Sequence, residues 1–307
     1  MSDTTTSVNT AVDTDALEGL SETPKSFGRL AWERFIHHRL ALVGLFGLLF
    51  IIAAFILGPI INQHPFDKPN VLNRLQGPSR EHWFGTDEIG RDLFVRTARG
   101  GRYSILIGLV AALASTAVGT IVGATAGYFG KAFDAVVAQV INLVLVVPGL
   151  VVLSVFALNF GSNWWRLSLV LAALSWVRIA RVARGVVLSI KEQDYVMAAR
   201  AAGASNARIL FRHILPNVVG AVTVEITLLV GSIIVLESTL SFLGLGVRPP
   251  DTSLGRLVAD AKGNIDNDPL RVRTPGLVIV LIVLCVNFLG DGLRDALDPK
   301  ARTNRDK

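Results

Sequence analysis

The sequence places five ionisable side chains inside long apolar segments of this 307-residue chain: Arg178, Arg181, Arg184, Glu225 and Glu237. A charge at the centre of a bilayer costs roughly 2.5–3.5 kcal/mol on insertion scales, so such a group faces water, a partner or the interior of a helix bundle. The arginines are close enough to a segment end for their charged tips to reach a membrane surface. Glu225 either faces a polar pathway or pairs with an arginine, and both interpretations stay open.

Catalytic patterns are missing from the sequence. The apolar segments contain no HExxH, no paired aspartates and no convincing Ser/His arrangement, which argues against an intramembrane enzyme. The nearest approach to a phosphate-binding loop is TAGYFGKA at 125–132, where Thr125 replaces the first glycine and Ala132 replaces the Mg²⁺-binding Ser/Thr. We therefore expect no enzymatic activity, no bound nucleotide and no metal. A proton-coupled secondary transporter using Glu225 is an alternative, but the inverted repeats that would favour it are not evident.

These charges must be positioned by membrane-spanning helices. The composition is 51% hydrophobic and only 18% charged, with a mean hydropathy of +0.51, which is typical of an all-α membrane protein. A span needs roughly 20 apolar residues. We predict six spans, at 40–61, 103–129, 135–165, 167–190, 216–246 and 275–293. Cys285, the single cysteine, is interpreted as a small apolar residue in the last of them.

Both termini should lie on the same side because the number of predicted spans is even. Basic residues abut the first span and recur after Asp298, which favours cytoplasmic termini. The segments 62–102 and 247–274 would then be external and 190–216 cytoplasmic. Residues 1–25 are acidic and rich in Thr and Ser, so we expect a flexible tail rather than a signal peptide.

Two features of the spans predict how they pack. Gly108, Gly119, Gly123 and Gly127 give the second span a smooth strip against which a helix of the same subunit, or less favourably a partner, can pack closely. Pro148 should bend the third span because proline lacks a backbone donor.

The segment MAARAAGASNARILFRHILPN, at 197–217, is a polar, alanine-rich insert between two spans. The pattern predicts a helix from Glu192 to Ala202, a left-handed turn at Gly203 and a second helix that Ser205 caps and Pro216 closes. The slim alanine surface suits insertion into a groove of another protein. An amphipathic hairpin on the membrane surface is the alternative.

This insert resembles the EAA loop of bacterial ATP-binding-cassette importer permeases, whose pattern is Glu-Ala-Ala, a later glycine and a closing Leu-Pro. Ala198, Ala199, Gly203, Leu215 and Pro216 match, whereas Met197 replaces the glutamate and His213 an isoleucine. The resemblance implies that the loop contacts an ATPase. The residues it would assign to that contact are Met197, Ala198, Ala199, Arg200, Ala201, Ala202, Gly203, Ala204, Ser205, Leu215 and Pro216.

Three further stretches resemble dipeptide and oligopeptide importer permeases, specifically the six-helix C-type subunit of the heterodimer. They are FGTDEIGRDLFVRTARGGRYSI at 84–105, LESTLSFLGLGVRPP at 236–250 and NFLGDGLRDALDPK at 287–300. The similarity covers about 26–300, and Leu254 departs from the tryptophan usual in this family. It implies a type I importer fold, with a first span and external segment at 26–102, a permease core at 103–300 containing the coupling loop 190–216, and a cytoplasmic tail at 301–307.

The family resemblance also implies the partners and the location. A homologous permease would complete the path in the bacterial inner membrane, one or two cytoplasmic ATPase subunits would bind ATP and Mg²⁺, and an extracytoplasmic binding protein would deliver peptide. Lipid surrounds the chain, and nucleic acid has no role. Nickel and glutathione, carried by related permeases, are the alternative substrates.

Four charged residues are candidates for external or pathway contacts in addition to Glu225. The family resemblance also implies that Glu237 lies near the outer end of the fifth span, where it pairs with Arg248 or another basic group, or contacts peptide. Asp87, Arg91 and Asp92 lie in the external segment and could meet the binding protein. Alternatively, Thr86 caps a short helix there, with Asp87 in the first turn.

Overall fold

The computed structural model describes residues 27–160 and 163–297, so both predicted tails lie outside the described residues. The all-α class is confirmed, since within those ranges the one β-type pairing is an isolated bridge between Thr86 and Asp92. The helices are α1 (Phe27–His37), α2 (Arg39–Ile61), α3 (Leu93–Phe129), α4 (Lys131–Val146), α5 (Gly149–Phe160), α6 (Trp164–Ile190), α7 (Asp194–Ala201), α8 (Asn206–Ile209), α9 (Leu215–Phe242), α10 (Leu254–Ala261) and α11 (Leu270–Leu297).

Four helical segments are long and apolar enough to cross a membrane. They are Arg39–Ile61, Leu93–Phe129, Asn206–Phe242 and Leu270–Leu297, and a bent pair formed by α4 and α5 would make five. The second span begins at Leu93, ten residues before its predicted start at 103, because Asp92 caps the helix there. Helix α6 covers the predicted 167–190 but does not qualify by composition, because its arginines interrupt the apolar run.

The segment 135–165, predicted as one span, is not one continuous helix. Helix α4 ends at Val146, α5 begins at Gly149, and the two meet at 88°. Val147 is extended, with φ −73° and ψ 134°, because the ring of Pro148 disfavours the helical conformation of the residue before it. Trp165 belongs to the next helix, α6. The bend predicted at Pro148 is therefore confirmed, but it breaks the helix instead of curving it.

The glycine strip of α3 packs within this subunit, as its spacing predicts. A Cβ added at Gly119, Gly123 or Gly127 would meet the backbone of α6, and one at Gly108 would meet Ile234 of α9. Helices α3 and α6 can approach closely because no side chain separates their backbones along this strip. The bidentate pair of Arg184 with Asp134, at 2.5 and 2.7 Å, attaches α4 to α6 beside it.

Helices α2 and α11 form a second close pair. A Cβ at Gly44 would meet the backbone of Cys285, and one at Gly292 would meet Ala41. Cys285 is a buried free thiol in this contact, which confirms its interpretation as a small apolar residue.

Candidate coupling loop and membrane-embedded charges

The turn between α7 and α8 has the predicted geometry. Gly203 has φ +78°, the left-handed region that favours glycine. Its N–H donates to the carbonyl of Arg200 at 3.0 Å, and Ala204 N–H donates to that of Ala199 at 3.1 Å, so these two carbonyls near the end of α7 are satisfied. The Ser205 hydroxyl accepts from Arg208 N–H at 3.3 Å and caps α8, which confirms its predicted role.

The second helix of the loop does not stop at Pro216. It passes from α8 through a π-helical segment, Leu210–Ile214, directly into α9. Pro216, which has no backbone N–H, lies in the first turn of α9, directly after this segment. The wider π turn accommodates the missing donor. The loop backbone is therefore continuous with a membrane-spanning helix.

Apolar side chains on one side of the loop attach it to the bundle. Val196, Ile209 and Ile214 are fully buried and belong to the same cluster as residues of α3 and α6. The hydroxyl of Tyr128, at the end of α3, donates to Oδ1 of Asn206 at 2.8 Å. The two short helices are therefore packed against α3, α6 and α9.

The other side of the loop is exposed and small. Most of the residues that sequence analysis assigns to an ATPase contact are exposed: Met197, Ala198, Arg200, Ala201, Ala202, Gly203, Ser205 and Pro216. Ala199, Ala204 and Leu215 are partly buried. We name this exposed surface of α7 and the Gly203 turn the ridge, and its many alanines suit insertion into a groove of another protein.

Glu225 pairs with an arginine. Nε of Arg178 donates to its Oε2 at 3.1 Å, joining α6 to α9, while Glu225 remains 23% exposed. The pairing and a pathway position, which the sequence left as alternatives, are thus compatible.

Glu237 does not pair with Arg248. It is fully buried and accepts hydrogen bonds from Ser241 at 2.6 Å and Ser104 at 3.0 Å. Ser104 also accepts from the N–H of Leu254 at 3.2 Å, so the cluster joins α3, α9 and the start of α10. No spacing rule brings these serines together, since Ser104 lies on a different helix far along the chain.

In the segment before α3, the charged residues form a structured cluster. Asp87 bonds to Arg91 at 2.7 Å and to Arg96 at 2.6 Å, and Arg96 reaches Asp260 at 3.4 Å. Burial raises the pKa of Asp87, but the N–H of Arg91 and the charges of Arg96 and Arg91 outweigh burial and hold the pKa below the ordinary value. Sequence analysis missed Arg96 because its partner Asp260 is distant in the chain.

Asp92, rather than Thr86, caps a helix in this segment. Its Oδ1 accepts from Val95 N–H at 2.8 Å, and no helix begins at Thr86, so that predicted cap is wrong. Asp92 Oδ2 lies 2.9 Å from Nδ1 of His82. His64 lies beside this pair, and one ring nitrogen of each histidine and one carboxylate oxygen of Asp92 lie within 4.8 Å of one another. Because the carboxylate is shared between the helix N-terminus and His82, the group supports the start of α3.

Comparisons with known proteins agree across most of the chain. The family described as binding-protein-dependent transport system inner membrane component matches residues 119–303. The family described as the N-terminal TM domain of oligopeptide transport permease C matches residues 26–78.

Individual relatives are similar over nearly their full length. An oligopeptide transport system permease protein OppC from Bacillus subtilis is 37% identical over 285 residues, 93% of each chain. A dipeptide transport system permease protein DppC from the same organism is 39% identical, covering 90% of this chain and 87% of its own. An OppC protein from Mycobacterium tuberculosis is 38% identical, covering 90% of this chain and 96% of its own.

Proposed function

The chain belongs to the family of binding-protein-dependent transport system inner membrane components, and we propose that it is the permease subunit of an ATP-driven importer of dipeptides and oligopeptides. The relatives carry both peptide descriptions in their names. Nickel and glutathione remain alternative substrates of the same architecture. The further alternative of proton coupling is disfavoured because its carboxylate, Glu225, is ion-paired with Arg178.

The proposed topology has six crossings in the bacterial inner membrane and cytoplasmic termini. The four apolar helical segments and the bent α4–α5 pair supply five of the crossings. Helix α6 would supply the sixth, because Arg184 and Arg178 are neutralised by Asp134 and Glu225. This arrangement places the turn at Gly203 in the cytoplasm and α10 outside.

The observation that carries the proposal is the ridge formed by α7 and the Gly203 turn. It combines an exposed alanine surface with an apolar underside that packs on α3 and α6. A groove in a cytoplasmic ATPase could receive the ridge, and the continuous backbone from α8 to α9 would transmit the closure of the ATPases to a span. The chain thereby couples ATP hydrolysis to helix movement without binding ATP or Mg²⁺ itself.

The proposed complex contains two permeases, one or two ATPase subunits and an extracytoplasmic peptide-binding protein. We expect ATP-dependent uptake of labelled peptide by vesicles that contain all of these components, and none when any one is omitted. Uptake by vesicles that contain this chain alone would refute the proposal and favour a secondary transporter. Mass spectrometry of the ligand that co-purifies with the binding protein distinguishes peptide from nickel and glutathione.

A reporter fusion provides an independent test of the topology. A reporter that is active only in the cytoplasm should be active when inserted after Gly203. A reporter that is active only outside should be active when inserted at 262–264. The reverse pattern would place the ridge where no ATPase can reach it and would contradict the coupling role.

A further inference from the structure

The ion pair of Arg178 and Glu225 lies within α6 and α9 and away from the ends of both helices. Arg178 is roughly three turns, on the order of 15 Å, from the end of α6 at Ile190, and Glu225 is about as far from Leu215, where α9 continues from the π-helical segment. The side chains are 48% and 23% exposed in this subunit. Lipid hydrocarbon offers no hydrogen bonds to a charged pair at this depth, so the exposed side must face water or another protein.

The exposed positions of α6 and α9 nearest the pair carry small, polar or charged side chains. The exposed residues of α6 between Val170 and Ile190 are Ala173, Arg178, Arg181, Gly185 and Ser189. On α9 between Gly220 and Ile234, Ser232 alone is exposed, and the exposed apolar residues Leu169, Val219 and Val235 lie just beyond these bounds. Helix α2 shows the opposite pattern and exposes Leu40, Val43, Phe46, Leu49, Phe50, Ile56, Leu57, Ile60 and Ile61.

Helical periodicity aligns these polar positions with the pair. Gly185 and Ser189 are about two and three turns from Arg178 on the same side of α6, and Ser232 is about two turns from Glu225 on α9. We name the surface formed by Arg178, Gly185, Ser189, Glu225 and Ser232 the polar face. A Cβ added at Gly185 would meet no atom within 4 Å, so the subunit leaves this face open.

The chemistry of the pair matches the charged end of a peptide. Within residues 27–160 and 163–297, the recorded hydrogen bond of Arg178 uses Nε, which leaves the terminal guanidinium nitrogens for another acceptor. A peptide with free ends carries a carboxylate and an ammonium group at neutral pH. The guanidinium can bind the carboxylate through two parallel hydrogen bonds.

We propose that the polar face lines the substrate path and that Arg178 transiently binds the terminal carboxylate of the passing peptide. This inference rests on the proposed function as a peptide importer. Glu225 holds the guanidinium in position and partly neutralises it. Passage requires a site that attracts the substrate and then releases it, and a partly neutralised arginine meets both conditions.

Water access to the polar face can be measured with single cysteines in a Cys285→Ala background. In the complete transporter, Ser232→Cys should react with a membrane-impermeant thiosulfonate at least about tenfold faster than Phe46→Cys. The thiolate, which forms in water, is the nucleophile that attacks the thiosulfonate sulfur and displaces sulfinate. Phe46 is a matched control because it is 64% exposed on α2. Reaction in the isolated subunit but not in the complete transporter would show that the partner permease covers the face. Lack of reaction in both would place it against lipid, and either result would overturn the proposal.

The role of Arg178 is tested by peptide uptake per ATP hydrolysed. Arg178→Gln should lower this ratio about tenfold, the factor expected when one charge-assisted hydrogen bond is lost. Arg178→Lys should restore part of it because the positive charge remains. Arg166→Gln, an exposed change at the outer end of the same helix, should have little effect. An unchanged ratio in Arg178→Gln, or no improvement with lysine, would remove the carboxylate contact.

The failure of this inference is distinguishable from failure of the proposed function. Wild-type vesicles provide the reference in both experiments. If wild type imports peptide and the polar-face variants behave like their controls, the inference alone is wrong. If wild type imports no peptide with all partners present, the importer assignment itself is wrong.

Discussion

Substituting valine for Gly203 should uncouple the transporter without removing it from the membrane. Gly203 has φ +78°, and a Cβ added there would meet no atom within 4 Å. The penalty therefore comes from the backbone conformation, and for a non-glycine residue it is roughly 1–3 kcal/mol. A penalty of that size disfavours the native turn about 5-fold to 150-fold. Because the turn is exposed and the spans insert by their own apolar length, abundance should remain nearly normal.

The assay combines peptide uptake with pull-down of the ATPase from detergent extracts. Gly203→Val should reduce uptake and weaken the ATPase contact. Gly203→Asn is the matched control, because asparagine adopts the left-handed conformation more readily than other non-glycine residues and should preserve most activity. Arg208→Ala should also have a small effect, since an isolated exposed charge contributes little. Normal uptake by well-expressed Gly203→Val would exclude this turn from coupling and favour a hairpin that lies on the membrane surface.

Three further predictions test the packing, the coupling contact and the external ion cluster. Gly123→Val should reduce the amount of folded protein in detergent, because its Cβ would overlap with the backbone of Ala180. A Cβ at Gly276 meets no atom within 4 Å, so the control Gly276→Val should be recovered at higher yield. Equal yields would contradict close α3–α6 packing. Tyr128→Phe removes the hydrogen bond to Asn206, a loss of about 1 kcal/mol, and should lower peptide uptake per ATP while ATP hydrolysis continues; an unchanged ratio would exclude this contact from coupling. The folded pKa of Asp87 is lowered from 3.8, so the stabilisation by its carboxylate is present above that value and is lost as the pH falls through the folded pKa. The higher thermal stability of the wild type relative to Asp87→Asn should therefore shrink below about pH 4. A pH-independent difference between the two proteins would refute this.

Local patterns in the sequence were enough to predict the features that depend on neighbouring residues. The left-handed turn at Gly203 and the cap at Ser205 follow from backbone sterics and nearby donors, and both are present. The close packing of Gly119, Gly123 and Gly127 follows from small residues that recur on one helix face. Composition and apolar length were likewise enough to predict an all-α membrane protein.

Other features depended on contacts between distant segments. The serine cluster around Glu237 requires α3, α9 and α10 to converge, and the ion cluster at Asp87 requires Arg96 and Asp260 to meet. Pro148 indicated a bend, but whether that bend would leave one span or two separate helices depended on how α4 and α5 pack. The span at 167–190 was predicted despite its arginines, but the partners of Arg178 and Arg184 could not be, since they lie on α9 and α4.

The sequence by itself thus determined most of the long helical segments, where the exposed turn lies and which charged side chains lie within apolar segments. Only the tertiary structure decided that Glu225 pairs with Arg178 while part of both side chains remains open on the polar face. The physical reason is that helix periodicity and capping are properties of consecutive residues. The environment of a membrane-embedded charge, in contrast, is created by whichever helices pack beside it.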